Sequence, residues 1–142
     1  MRVPWLVLLA GCTLPKGFRG AFPAEHVEQD RCLSTEDIQM FGGVLAAGGD
    51  YGEIVVQWAG AEFDCEADLV AWVKPHGRTL DVLVHPEDFE QDSGCTCLWN
   101  LAITVAGLTP GDVLTVVIWG WLGEGDPERG GSAEVVVPPA NR

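Results

Sequence analysis

The amino-acid sequence predicts an all-β fold, an antiparallel β-sandwich of about six or seven strands. Two observations predict it. Apolar and polar residues alternate with a period of two in successive short runs, and turn-forming residues separate those runs. A chain of 142 residues is also long enough to bury one hydrophobic core of this kind. We therefore expect a single folded domain behind an N-terminal signal and tether.

The alternation is clearest in two runs, FDCEADLVAWV at residues 63–73 and CTCLWNLAITV at residues 95–105. In both, every second side chain is apolar, which is typical of a strand with one buried face. Four shorter runs have the same pattern: Ile54-Val56-Trp58, Leu80-Val82-Val84, Leu114-Val116-Ile118 and Ala133-Val135-Val137.

Turn-forming residues lie between these runs: Ala59-Gly60, Lys74-Pro75-His76-Gly77, Asp92-Ser93-Gly94, Thr109-Pro110-Gly111 and the loop from Gly123 to Ser132. Short strands punctuated in this way favour a sandwich. The segment from Ser34 to Met40 stays open between a short helical turn and a first strand, because a hydroxyl residue followed by acids also suits a helix start.

The stretch from Ile54 to Val137 resembles the fibronectin type III and immunoglobulin-like sandwiches. IVVQW is similar to their second strand, and ITVAGLTPGDVLTVVI is similar to their paired strands around an L-x-P-G corner. Leu114 stands where that family usually has a tyrosine, and the cysteine pattern is foreign to it. The resemblance implies an immunoglobulin-like architecture and no particular function, because such folds host many activities.

The N-terminus predicts the protein's destination. Arg2 is a basic start, a short apolar stretch follows, and Leu9-Ala10-Gly11-Cys12 resembles the lipobox of bacterial lipoproteins. That resemblance implies a signal peptide at residues 1–11, cleavage before Cys12, and attachment to the membrane through acyl chains, such as palmitate, on its thiol. The alternative is a buried N-terminal strand in which Cys12 is incidental.

The expected domains are therefore the signal peptide, a lipidated cysteine with a Pro- and Gly-rich tether at residues 12–31, and a sandwich at residues 32–142. Phe18 and Phe22 are the tether side chains suited to pinning it onto the domain. Thr13 is not an aspartate of the kind that retains lipoproteins in the inner membrane, so the outer membrane is the favoured location in the cell envelope.

The cysteine count supports export. The chain has five cysteines, and if Cys12 carries lipid, four remain for two disulfides in an oxidising compartment. Cys95 and Cys97 lie two residues apart, so on a strand they point to one face and reach different partners. We expect these partners to be Cys32 and Cys65, with the choice between the two pairings left open.

Several functions are disfavoured. The 21 acidic and 8 basic residues, a formal net charge of −13, argue against nucleic acid as a partner. No metal or other cofactor is expected, because zinc-type cysteine spacing is absent and the acidic loop after His85 lacks EF-hand spacing. The sequence has no nucleophile elbow, phosphate loop or H-E-x-x-H motif, so we expect no enzyme activity.

Three tryptophans are the candidate ligand-binding residues. If the apolar side chains of residues 114–118 face the core, Trp119 and Trp121 share the opposite face, and Trp72 also points away from the core. Exposed indole rings on a flat sheet stack against sugar rings. The alternative is that these tryptophans cover a sheet edge or pack beneath the N-terminal arm.

These observations together predict a membrane-anchored envelope lipoprotein whose disulfide-linked β-sandwich is a non-catalytic structural or interaction module. Its partner, besides the membrane, would be an envelope protein or a polysaccharide. Two alternatives remain: a surface carbohydrate-binding module that uses the three tryptophans, and a small periplasmic enzyme or enzyme inhibitor.

Overall fold

A computed structural model of the chain describes residues 14–32 and 43–139. The predicted all-β sandwich is confirmed, since the described residues form two sheets and contain no α-helix. Their one helical element is a 3-10 turn at Lys16–Phe18, and none of them belongs to a helix long and apolar enough to cross a membrane. The strands are β1 (Phe22–Pro23), β2 (His26–Gln29), β3 (Gly43–Gly48), β4 (Ile54–Asp64), β5 (Leu69–His76), β6 (Thr79–Pro86), β7 (Thr96–Val105), β8 (Val113–Gly120) and β9 (Glu128–Val136).

The strands form a five-stranded sheet in the order β1-β5-β6-β8-β9 and a four-stranded sheet in the order β2-β7-β4-β3. All neighbouring strands are antiparallel except β6 and β8. The parallel pair arises because the chain leaves β6, forms β7 in the other sheet, and returns to the first sheet as β8.

The alternating apolar residues fill the space between the sheets, as the period of two predicts. Burying an aliphatic side chain of this size contributes roughly 1.5–3 kcal/mol, so this layer supplies the main driving force for folding. The aliphatic side chains of this core that are fully buried are Ile54, Val56, Val73, Leu80, Val82, Val84, Ile103, Val105, Val116, Ile118 and Val137.

Two sequence signals have a different outcome from the one expected. The run at residues 63–73 is two strands, because a turn follows Asp64, whose carboxylate accepts the N–H of Glu66 at 2.9 Å. In contrast, Ala59-Gly60 makes no turn; it is a bulge within β4, with Gly60 at a φ of 85°.

The N-terminal arm, residues 14–32, is packed on the sandwich. Its strand β1 pairs with the edge of the five-stranded sheet and β2 pairs with the edge of the four-stranded sheet. Between them, Ala24 N–H bonds to a carbonyl of the first sheet and Glu25 N–H to one of the second, at 3.0 and 2.9 Å. The sandwich therefore includes residues that the sequence assigned to the tether.

Three sequence-based expectations concern residues outside the described ranges. The signal peptide at residues 1–11, the lipidation of Cys12, and the choice between a turn and a strand at residues 34–40 all remain predictions.

Candidate functional site

The four remaining cysteines form two disulfides, Cys32–Cys97 and Cys65–Cys95. Their Cα atoms are 5.3 and 5.4 Å apart. Cys95 and Cys97 thus reach different partners, and the structure chooses between the two pairings that the sequence left open. Cys32–Cys97 ties the end of the N-terminal arm to β7, and Cys65–Cys95 joins the segments that follow β4 and precede β7.

The two disulfides form a single sulfur cluster. The Sγ atoms of Cys32, Cys65 and Cys97 all lie within 4.8 Å of one another. Cys97 is 3% exposed, whereas Cys32 and Cys95 are exposed and Cys65 is half-buried. Three sulfurs at this spacing suit a metal ion only as thiolates, and here they are bonded in disulfides.

Asp64 holds together the two loops that carry Cys65 and Cys95. Its Oδ1 accepts the N–H and the hydroxyl of Ser93, at 2.8 and 2.9 Å, while Oδ2 accepts the N–H of Glu66. These hydrogen bonds, that from Glu66 first, hold the pKa of the Asp64 carboxyl below its ordinary value. Sequence reasoning missed this residue because its two loops are almost thirty positions apart.

The predicted tryptophan face exists, but the N-terminal arm covers it. Trp121 is 8% exposed and packs with Leu14, Phe18 and Leu83 on the outer face of the five-stranded sheet. Trp72 and Trp119 are half-buried against the same cluster. This arrangement is the alternative in which the tryptophans pack beneath the arm, with Phe18 buried and Phe22 37% exposed.

All three indole N–H groups are bonded within the protein. Trp119 donates to Asp81 Oδ1 at 2.9 Å, Trp121 to the carbonyl of Gly125 at 3.0 Å, and Trp72 to His85 Nε2 at 3.0 Å. These rings do not form the flat, exposed platform that sugar stacking requires. Sugar binding through them stays a prediction, and the geometry gives it no support.

His85 is a buried polar residue, which the sequence analysis named only for the acidic loop that follows it. An indole N–H can only donate, so Nε2 of His85 is the acceptor from Trp72 and Nδ1 carries the proton. Nδ1 donates to the carbonyl of Pro86 at 2.7 Å. The ring stacks on Phe89 at 4.9 Å and meets Trp121 edge-on at 6.0 Å. Burial lowers the pKa of His85, although the Pro86 carbonyl opposes this.

An open groove of about 910 Å³ lies at the end of the sandwich where β4 and β8 finish and β9 begins. We call it the acidic groove. Its acidic residues are Glu62, Asp64, Asp92, Glu124, Asp126 and Glu128. Its aromatic residues are Trp58, Phe63, Phe89 and Trp121. Arg129 is the single basic residue among the described residues that line it.

A second concavity, of about 740 Å³, lies over the outer face of the four-stranded sheet. Small side chains such as Ala59 and Ala102 make its floor, and Glu28 and Asp30 lie at its β2 side. Asn100 also lines it, and the side-chain oxygen of Asn100 is buried without a hydrogen-bond partner among the described residues.

No protein-family model, no curated protein and no solved structure matches this chain. Only the chain's own residues and geometry therefore bear on what it does.

Proposed function

We propose that the chain is a membrane-anchored lipoprotein of the bacterial envelope whose disulfide-bonded β-sandwich is a non-catalytic interaction module. One observation carries the proposal: Cys32, Cys65, Cys95 and Cys97 bond to one another, so Cys12 is the cysteine left over, and it stands in the sequence Leu-Ala-Gly-Cys. Two disulfides fit an oxidising compartment, which is where a lipobox would deliver the protein.

The arm supports a close attachment to the bilayer. Leu14 is 9% exposed in the cluster on the outer face of the five-stranded sheet. Thr13 alone separates it from Cys12. Since an extended chain spans about 3.5 Å per residue, a lipid on Cys12 would hold the sandwich within about two residues' length of the membrane surface. The acyl chains must supply the attachment, because the chain has few basic residues to bind anionic lipid.

The acidic groove is the surface best suited to a partner. Six carboxylates line it together with apolar side chains, of which Phe89 is 38% and Leu122 65% exposed. Such a surface complements a basic segment that also carries apolar side chains, because opposite charges speed the encounter and the apolar contacts retain the partner. The partner we propose is therefore a basic segment of another envelope protein.

The mass of the intact protein from its native cells, measured without reduction, tests the anchor and the compartment. We expect a chain that begins at Cys12, is heavier by a diacylglyceryl group, and is lighter by four hydrogens for its two disulfides. A Cys12→Ser variant should lose the lipid and keep both disulfides. A full-length chain with five reduced thiols would overturn the proposal.

Charge-neutral variants test the groove, with a synthetic peptide of alternating lysine and leucine as the probe. The triple variant E124Q/D126N/E128Q should bind it about tenfold more weakly, since three surface charge pairs contribute roughly 0.5 kcal/mol each. The control E25Q/E28Q/E134Q changes the net charge equally at exposed sites outside the groove. Equal weakening in both variants would show that overall charge, and not the groove, attracts the probe.

A further inference from the structure

The two disulfides are arranged so that each has one outer and one inner sulfur. Cys32 and Cys95 are exposed, Cys97 is buried and Cys65 is half-buried. The inner sulfurs, of Cys97 and Cys65, belong to different disulfides and lie within 4.8 Å of each other. A thiol in solution therefore approaches each bond from its exposed cysteine, while the other cysteine of that bond lies close to the neighbouring disulfide.

We propose that this cluster is a thiol–disulfide exchange site. An external dithiol reduces either disulfide by two electrons, and the thiolate released inside the protein attacks the other disulfide. The product has a new Cys65–Cys97 bond and reduced thiols at Cys32 and Cys95. The inference is independent of the lipid anchor, because it depends only on the four cysteines of the folded domain.

The first route begins at Cys32. A thiolate of the dithiol attacks Cys32 Sγ, forms a mixed disulfide with it, and breaks the Cys32–Cys97 bond, whose electron pair leaves on Cys97. The Cys97 thiolate attacks the adjacent Cys65 Sγ, so a Cys65–Cys97 bond forms and the Cys65–Cys95 bond breaks. The Cys95 thiolate takes a proton from water. The second thiol of the dithiol then resolves the mixed disulfide and releases Cys32 as a thiol.

The second route begins at Cys95 and ends at the same product. Attack on Cys95 Sγ releases Cys65 as a thiolate, which attacks Cys97 Sγ and displaces Cys32. In both routes the external dithiol is oxidised to a disulfide, and the protein gains two electrons and two protons. The routes converge because the inner sulfurs of the two disulfides, those of Cys65 and Cys97, lie close together.

Proximity favours the internal step. A thiolate held beside a disulfide reacts as if at very high concentration, because no encounter with a second molecule is needed.

The product also differs from the native protein in which segments the disulfides connect. Cys32 is the one cysteine of the described N-terminal arm, so its release frees the end of the arm from β7, while the new Cys65–Cys97 bond still links the β4 side of the sheet to β7.

Partial reduction of the wild-type protein tests the proposal. The folded protein is treated with less than one equivalent of dithiothreitol at neutral pH, quenched with acid, and labelled with N-ethylmaleimide. Cleavage after acidic residues separates Cys32 from Cys65, and fragmentation of the peptide between Cys95 and Cys97 locates label and disulfide. We expect most of the two-electron-reduced protein to carry label on Cys32 and Cys95 with a Cys65–Cys97 bond. Label on Cys32 and Cys97, or on Cys65 and Cys95, with the other native bond intact, would overturn it.

Two single variants test the two routes separately, and both should form the Cys65–Cys97 bond. In Cys32→Ser, the Cys97 thiol remains beside the Cys65–Cys95 bond, and exchange should leave Cys65–Cys97 with a labelled Cys95. In Cys95→Ser, it should leave Cys65–Cys97 with a labelled Cys32. Persistence of the native bond in both variants would contradict the proposal. The double variant C65S/C95S is the control: reduction should label Cys32 and Cys97, because the second disulfide is gone.

Discussion

The two outer faces of the sandwich differ in side-chain size and in what covers them. The row of paired residues across the five-stranded sheet is Pro23, Trp72, Leu83, Trp119 and Arg129. The equivalent row across the four-stranded sheet is Glu28, Ala102, Gln57 and Leu45. Leu83 is fully buried beneath the N-terminal arm, whereas Leu45 is 69% exposed. Bulky aromatic side chains on one face thus create a second, smaller core, and small or polar side chains leave the other face open.

This difference shows why the arm belongs to the fold. A large apolar surface left open to water attracts other molecules, so the aromatic face needs a cover. Leu14 and Phe18 provide it, and the strand pairing of β1 and β2 then protects one edge of each sheet. The arm is attached again at its far end through Cys32. Packing, strand pairing and a covalent bond therefore act in sequence along fewer than twenty residues.

The largest expected effect comes from removing the centre of this cover. Phe18 is 5% exposed, so Phe18→Ala should lower the free energy of unfolding by about 3 kcal/mol or more, through lost burial and a new cavity. Leu45→Ala, on the open face, should change it by no more than about 0.5 kcal/mol. Urea denaturation without reductant measures both. Similar losses in the two variants would mean that the faces do not differ as described.

A second, smaller effect is pH dependence confined to the covered face. The folded state lowers the pKa of His85, so the unfolded chain takes up a proton first as the pH falls through about 6.5. The contribution of His85 to stability is complete above that pH and is lost as the pH falls towards the lower pKa of the folded state. The melting temperature should therefore drop between about pH 7.5 and pH 5, and His85→Gln should reduce that drop.

His26 supplies the matched control for this prediction. It is exposed in β2, on the uncovered side of the sandwich. His26→Gln should keep the pH dependence of the wild-type protein. If the two variants flatten the pH profile equally, the burial of His85 is not its source.

The sequence was informative where a local pattern decides the structure. The period of two identified the core-facing residues of β6, β7 and β8. The spacing of Cys95 and Cys97 correctly predicted that they form disulfides with different partners. The pattern also hid the turn after Asp64, because the core-facing residues are odd-numbered both at the end of β4 and in β5. Local patterns could not reveal contacts between distant segments, such as the parallel pairing of β6 with β8.

The same limit explains what was missed at the candidate sites. His85 receives its surroundings from Trp72, Phe89 and Trp121, which come from three separate segments of the chain. The proximity of Cys65 to Cys97 brings the segment after β4 close to β7, and no spacing within either one encodes it. Only the assembled fold brings such groups together.

The smallest expected effect tests the open face, where polar atoms are less well partnered. Three indole N–H groups on the covered face are bonded, whereas the buried side-chain oxygen of Asn100 has no partner among the described residues. An unpaired buried acceptor costs free energy, and valine suits a central strand such as β7. Asn100→Val should therefore raise the free energy of unfolding by up to about 1 kcal/mol.

Ala102→Val, at an outward position of the same strand, controls for the strand preference alone. A gain in Asn100→Val above that of Ala102→Val would identify the unpaired oxygen as the cause, and a loss would show that this oxygen is bonded in solution.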